Sequence, residues 1–551
     1  MDDLLRRLDG AGFPTIGYAD DLAILLTGRY ESVLCNRMQG ALNIVEKWCS
    51  ERSLSVNPAK TEMVLFTKKR KLENMILPKI KETRVCLKKE VKYLGVVLDS
   101  KLNWKRHLEV KASKACKALW QCRRTVGRSW GLSPKITLWL YTAVIRPMLC
   151  YGAIVWWPRT RLKTEMTHMS HVQRLVCLAV TGAMKSTPTA AMEAVLCLPP
   201  LNLFVEEMAL CTALRLKDGG LWNTIGKICG HARILREASE RMPILQAEMD
   251  RIPTSYHFSK SYRIELSDTQ VEPDIKIFTD GSKTKRGSGL GIFSEELNLC
   301  EHLSLGVHTT AFQAEMLAVM HGARTVATQK VCKKHIRFLT DCRAVLLTLR
   351  GHKVNSRLVR ECHLLLNRLA ESNVVELCWV KGHEGNQGNE EADRLARMGS
   401  DHQMIGPEPA LPLATTTRSA LIKDDTLQRH WNYWVNYEGC RQGHLAVKVP
   451  SLKIAKICTQ LSRPNLRKLV GIWTGHCKLN SHLHKMDLVK DPACRACYEE
   501  DETAEHVLCH CRTLAQIRGS ILGELWPSMA DIRGTPPGLL LRLINAIGWL
   551  D

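Results

Sequence analysis

The sequence predicts a multidomain α/β protein whose centre, residues 272–400, is a mixed five-stranded sheet with flanking helices. Three observations predict it. The chain has 551 residues, enough for several domains rather than a single core. Between 272 and 400, short apolar runs that read as strands alternate with segments of helical periodicity. On either side the character changes, to a helical stretch rich in Leu, Trp, Cys and Arg before it and a Pro/Thr-rich stretch after it.

Residues 1–105 open on the turn-like FPTIGYADD and continue into an amphipathic helix near Glu31–Cys49. The strand TEMVLF and the strand motif VKYLGVVLD follow. Residues 106–265 carry periodic apolar positions that predict a helical region, and the polar LSDTQVEP at 266–273 reads as a linker. In the centre, DIKIFTDGS predicts a strand ending in a turn, and GLGIFSEE with LCEHLSLGV an antiparallel pair. AFQAEMLAVMHGARTV places Phe312, Met316 and Met320 at i, i+4 and i+8, the spacing of a helix packed on one face. HIRFLTD is a strand, CRAVLLTL and SRLVRECHLLLNRLAE are helices, VVELCWVKG is the fifth strand and NEEADRLARMG the last helix. A linker at 401–420 leads to a C-terminal helical region, 421–551, with a Cys/His cluster.

A formal net charge of +23 favours a polyanionic partner, and nucleic acid is the commonest. The 22 cysteines are scattered and no secretory leader precedes them, so reduced thiols are expected rather than a disulfide framework. The opening MDDLLRRLDGAG lacks the apolar core of a signal peptide, and the most apolar stretch, Ile136–Trp157, is interrupted by Arg146 and Pro147. The reading is an intracellular protein of nucleus or cytoplasm with no membrane partner.

Four acidic residues of the centre stand in unusual local settings. Asp280 and Asp341 end apolar strands, Glu315 lies within an otherwise apolar helix, and Asp393 is in the helix after a Gly-rich loop. Carboxylates at buried strand ends are costly unless positive charge pairs with them, and hard divalent cations supply it. A lone Asp at a strand end is more often a turn former. The conjunction of four favours a two-metal site for phosphodiester hydrolysis.

FTDGSK, AFQAEMLAV, LTDCRAV and WVKGHEGNQGNEEADRLA, in that order, resemble the four active-site blocks of type I ribonuclease H. The resemblance spans 272–400 and implies an RNase H-like fold. It makes Asp280, Glu315, Asp341 and Asp393 the carboxylates for two Mg²⁺ ions (or Mn²⁺), and His383 the loop histidine that helps protonate or release product. It further implies contacts from Gly281, Ser282 and Gln313 to ribose 2′-hydroxyls, the group that separates RNA from DNA.

YADD puts Asp20 and Asp21 in a tight turn between apolar flanks, where an ordinary Asp turn is the plain alternative. With NPAKTEMVLF and KYLGVVLDSKLNW it resembles the later palm motifs of reverse transcriptases from non-LTR retrotransposons, with Lys60 as the palm lysine. By that resemblance 106–265 is a thumb-like or connection region. A polymerase also needs a third carboxylate and fingers from earlier in the chain, and only 17 residues precede YADD. The expectation is a truncated palm, the C-terminal part of such a polyprotein, with no DNA synthesis by this chain alone.

Cys494, Cys497, His506 and Cys511 follow C-x₂-C-x₈-H-x₄-C, a ligand set suited to tetrahedral Zn²⁺. Cys509 and His510 compete for the fourth position, and reduced structural thiols are the alternative. His476, Cys477, His482 and His484 read as surface or core. The basic runs at 68–84 and 105–124, with Trp104 and Trp120 for stacking, read as nucleic-acid contacts.

The sequence thus favours a metal-dependent endonuclease acting on the RNA of RNA–DNA hybrids. The alternative is a relic that binds nucleic acid without chemistry. A transposase-like reaction ranks last, because those enzymes use other acidic spacing and lack the HEGN loop.

Overall fold

The computed structural model describes residues 1–69, 75–123, 131–222, 230–266, 271–382 and 385–550. It divides into two compact units, one of Met1–Val205 with Tyr433–Asp551, the other of Glu206–Asn432.

The second unit holds the mixed sheet. Its strands are β1 (Ser255–Tyr256), β2 (Arg263–Glu265), β3 (Ile275–Lys283), β4 (Ser288–Ser294), β5 (Leu299–Ser304), β6 (His335–Thr340), β7 (Lys353–Val354) and β8 (Val374–Trp379). Six of them form one sheet in the order β2-β8-β6-β3-β4-β5, while β1 and β7 pair separately. β3, β4 and β5 are antiparallel neighbours, whereas β3, β6, β8 and β2 run parallel. The helices that follow β5 are α1 (Ala311–Thr328), α2 (Arg343–Arg350), α3 (Arg357–Ala370), α4 (Gln387–Asp401) and α5 (Thr415–Val435), the last running past the unit's boundary; the helix Arg233–Arg241 and most of the helix Leu201–Asp218 precede the sheet in this unit.

The core follows the predicted pattern. Ile277, Ile292, Phe338 and Leu377 of the sheet meet Met316, Val319 and Met320 of α1, all essentially inaccessible, with Phe312 at the rim. Each such side chain contributes about 1.5–3 kcal/mol by leaving water. The other face of the parallel strands is mixed: Phe278, Leu339 and Cys378 form a smaller apolar cluster, and a buried ion pair of 3.1 Å joins Arg337 of β6 to Glu376 of β8.

Three expectations need correction. The sheet has six strands, not five. Arg263–Glu265, a segment assigned to the helical region, pairs in parallel with β8, and Tyr262 beside it lies in the same core. Three residues are too few to show a period, so only the partner strand reveals them. The helical reading therefore fails at its end, where residues from Ile252 onward pack on the sheet. The linker after α4 stops at residue 414, because α5 begins at Thr415. It is also fastened rather than free, with Leu413 exchanging backbone hydrogen bonds with Glu248 and Asp250. Helix α5 is further tied into this unit by Arg418–Asp218 and Arg429–Glu206 ion pairs of 2.6 Å.

In the first unit Thr15–Tyr18 and Asp21–Ile24 form a hairpin, closed by Ala19 at φ 51° and Asp20. The helix Glu31–Glu51 packs Ala41, Val45 and Trp48 against Leu4 and Leu8. The VKYLGVVLD motif is a hairpin, Glu90–Tyr93 with Val96–Asp99. Helices dominate from Lys105 to Val205, and again among the described residues of 433–550. Among the described residues no single helix is long and apolar enough to cross a membrane. The described cysteines are all free thiols.

Candidate active site and metal centres

Asp280 and Asp341 meet because of strand register. β3 and β6 pair in parallel with Phe278 opposite Leu339, which sets Asp280 level with Asp341, the residue just past the end of β6. Neighbouring strands lie about 4.8 Å apart. Glu315 arrives from α1, whose backbone presses on β3 at Gly281. A β-carbon there would lie 2.3 Å from the Glu315 nitrogen, so only glycine permits the approach. Carboxylate oxygens of Asp280, Glu315 and Asp341 all fall within 4.8 Å of one another.

Asp393 comes from α4, which lies directly on β4 because Gly289 and Gly291 offer no side chain in the way. It is near enough for its charge to act on both Asp280 and Glu315. It is not within the tight group of three, and its Oδ2 is held at 2.7 Å by Arg397. Three of the four predicted carboxylates are therefore brought together and the fourth stands beside them.

Electrostatically the group is set up to receive cations. Burial, then repulsion from Asp341 and Asp393, pushes Asp280 up to about 7. Burial, then the charges of Asp280 and Asp341, pushes Glu315 up to about 9. Glu315 Oε2 is buried without a hydrogen-bond partner. A buried acceptor left unpaired costs about 1–3 kcal/mol. An all-oxygen, anionic donor set with an unused buried oxygen fits Mg²⁺ or Mn²⁺.

His383 lies outside the described residues. Gly281 and Ser282 are half-buried in β3, beside the carboxylates. Gln313 needs correction. Its side chain is buried, accepts from the Thr310 backbone N–H (3.2 Å) in a capping box, and donates to the Pro412 carbonyl (2.9 Å), so it is not free for a ribose. The motif T-x-x-Q was visible as a helix start and is the stronger reading of this residue. Two neighbours were missed by sequence reasoning. Trp379 Nε1 donates to the Asp341 carbonyl at 3.1 Å, and the Arg343 guanidinium lies over its ring at 5.2 Å. The only advance signal was their position within the quoted motifs LTDCRAV and WVKGHEGNQGNEEADRLA.

In the first unit Asp20, Asp21 and Lys60 are exposed, and neither Asp belongs to a grouping of three potential ligands among the described residues. Trp104 is buried and so is withdrawn from stacking, whereas Trp120 remains exposed. Of the basic run 68–84, residues 70–74 lie outside the description, as does Arg124 of the run 105–124.

Cys494, Cys497, His506 and Cys511 form the second grouping, with ligand atoms within 4.8 Å of one another. Cys494 and Cys511 sulfurs are 3.9 Å apart, and Cys497 Sγ is 3.3 Å from His506 Nε2. The other ring nitrogen of His506 bonds Glu500 at 2.8 Å, the outer carboxylate that orients metal-binding histidines. Burial works against ionising Cys497, but the Glu499 and Glu500 backbone N–H groups, Cys494 and His506 outweigh it and lower the thiol to about 7. Three sulfurs and one nitrogen fit Zn²⁺. Cys509 and His510 fall outside the grouping. His476 and His482 pack edge to face at 4.6 Å, His484 bonds the Val489 carbonyl, and Cys477 is buried; none joins a ligand group among the described residues.

Residues 272–401 match the ribonuclease H family model, and residues 1–98 match that of reverse transcriptase (RNA-dependent DNA polymerase). The chain is 26% identical over 193 residues to the retrovirus-related Pol polyprotein of the type-1 retrotransposable element R1 of Bradysia coprophila. That match covers 35% of this chain and 19% of the relative. The corresponding R1 polyprotein of Nasonia vitripennis is 23% identical over 227 residues, covering 40% and 66%. The chain thus spans about a fifth of one relative and just under two thirds of the other. The ribonuclease H1 structure from Halobacterium salinarum matches 23% of this chain and 96% of its own, at 19% identity and a TM-score of 0.19. The chain joins a reverse-transcriptase segment at 1–98 to a ribonuclease H domain at 272–401, and is a relative of the polyproteins of R1-type non-LTR retrotransposons.

Proposed function

We propose that this chain is a metal-dependent endonuclease that hydrolyses the RNA strand of RNA–DNA hybrids. The observation that carries the proposal is the convergence of Asp280, Glu315 and Asp341 from two strands and a helix, with Glu315 Oε2 buried and unpaired. A pair of Mg²⁺ ions, replaceable by Mn²⁺, would supply the charge that activates a water and stabilises the leaving oxygen. Asp280, Glu315 and Asp341 would hold the ions, and Asp393 would join them on release from Arg397. His383 handles the proton of the departing product. Backbone and hydroxyl of Gly281 and Ser282 face the ribose 2′-OH and select RNA. Asp20, Asp21 and Lys60 take no part in this reaction, and this chain alone carries out no DNA synthesis.

Purified protein with Mg²⁺ should cut the labelled RNA strand of a hybrid, leave the DNA strand intact, and stop on chelation. Tight binding with no product at any Mg²⁺ or Mn²⁺ concentration would favour the alternative, a non-catalytic nucleic-acid-binding relic.

We further propose that Cys494, Cys497, His506 and Cys511 hold one Zn²⁺ that fixes the C-terminal segment. Metal analysis should return about one zinc per chain, and Cys494→Ser should abolish it and make 485–550 protease-sensitive. Full zinc content in that variant would sink the assignment.

A further inference from the structure

The segment just before β2 presents two exposed aromatic rings, Tyr256 and Phe258. It is anchored firmly to the end of α2: the His257 N–H donates to the His352 carbonyl (2.8 Å), and Lys260 Nζ donates to the carbonyls of Arg350 (2.6 Å) and Gly351 (2.8 Å). Tyr262 closes it with a 2.5 Å hydrogen bond to buried His363. Yet the alternation of this extended segment is inverted. Polar Ser255 and His257 turn inward, while Tyr256 and Phe258 are 62% and 73% exposed. Residues i and i+2 share a face, so the two rings stand side by side, within 7° of parallel and 6.0 Å apart, with His352 beyond Phe258 at 5.3 Å. Two aromatic rings held side by side and exposed on an anchored segment offer flat faces on which a ligand can stack.

The surroundings say which ligand. Between Asp341 and Glu361 the sequence holds five Arg or Lys and no Asp or Glu. Helix α2 turns Arg343, Leu347 and Arg350 outward at i, i+4 and i+7, and Lys353 pairs directly with Tyr256 across β7 and β1. Among the described residues neither Arg350 nor Lys353 has an acidic partner. The line begins at the carboxylates, because Arg343 covers Trp379 and Trp379 bonds the Asp341 carbonyl. Along α2 it runs about 12 Å, three to four base steps at about 3.4 Å each.

We infer that the Tyr256–Phe258 ring pair, reached from Asp341 along the cationic face of α2, binds an unpaired nucleic-acid strand that continues from the hybrid at the carboxylates. Cations unpaired by protein take the phosphates, and flat exposed rings take base faces, which a duplex interior does not offer. The inference rests on the hybrid-nuclease reading for what occupies the carboxylate end.

The test uses the full chain without added Mg²⁺ or Mn²⁺, where binding is read without cleavage, and compares by fluorescence anisotropy a blunt hybrid with the same hybrid carrying an unpaired tail. The parent should bind the tailed form about tenfold or more tightly, as stacking of one or two bases provides. Tyr256→Ala with Phe258→Ala should erase that ratio, and Tyr256→Phe with Phe258→Tyr should preserve it, since only aromaticity is kept. A ratio of one in the parent, or a ratio that survives the alanines, overturns the inference. So does displacement of the tail by polyglutamate more readily than by oligonucleotide, which marks a protein-docking face. Cleavage of the blunt hybrid by the parent with Mg²⁺ reports the nuclease reading separately.

Discussion

Asp280→Asn is expected to lower hybrid cleavage by about 10³-fold or more, equivalent to about 4 kcal/mol of lost transition-state stabilisation, with much less effect on hybrid binding. Asp280 is the centre of the cluster, on the middle of β3 and level with Asp341, and Asn keeps its shape while removing the charge that holds a cation. Single-turnover cleavage at saturating protein measures it, and activity within tenfold of the parent would falsify the carboxylate reading. The same variant carries a stability signature. Folded Asp280 and Glu315 hold protons up to about 7 and 9, whereas in the unfolded chain such groups release theirs near pH 4. The folded state therefore binds more protons between those limits. The stability of the metal-free protein falls as pH rises from about 4 through 9. Without metal, Asp280→Asn should melt higher than the parent at pH 8 and nearly level with it at pH 4. Mg²⁺ should raise the parent's melting temperature at pH 8 and leave the variant's almost unmoved.

Gly291→Ala is expected to destabilise the nuclease unit by about 3 kcal/mol or more, at the upper end of overpacking costs. Its β-carbon would stand 2.1 Å from the Ala392 carbonyl oxygen and 2.4 Å from the Ala396 nitrogen, and backbone atoms cannot rotate aside as a side chain can. Helix α4 would have to lift from β4, carrying Asp393 away from Asp280, so cleavage should fall even where the variant still folds. Urea denaturation followed by a probe in this unit checks the first effect. Gly538→Ala is the control, in a helix position with nothing within 4 Å, and should be neutral or stabilising. An unfolding midpoint for Gly291→Ala equal to the parent's would show that α4 is not seated on the strand backbone.

How much of this was legible beforehand differs by residue. Asp280, Asp341 and Glu315 announced themselves because an acid at the end of an apolar strand, or inside an apolar helix, violates the local pattern, and such violations gather at functional sites. The hairpin bearing Asp20 and Asp21 was equally readable from its turn chemistry. Gln313 was misread because a capping residue and a polar contact residue look alike in one dimension, and the cap's partner, Thr310, had to be seen bonded. Trp104 was misread for a related reason. An aromatic in a basic run is equally a stacking platform or an anchor, and burial alone separates them. The sixth strand, Arg263–Glu265, was invisible because three residues hold no period and their hydrogen bonds go to β8, more than a hundred residues away.

Local chemistry along the chain determined which residues are candidates: the acids against apolar background, and the C-x₂-C with its following His and Cys. Only tertiary structure decided which of them meet. Parallel register set Asp280 level with Asp341, and three glycines let helices α1 and α4 come close enough to deliver Glu315 and place Asp393 nearby. The physical reason is that residue type is written into each position singly. Distance between positions is set by long-range pairing and close packing, which no short stretch of sequence contains.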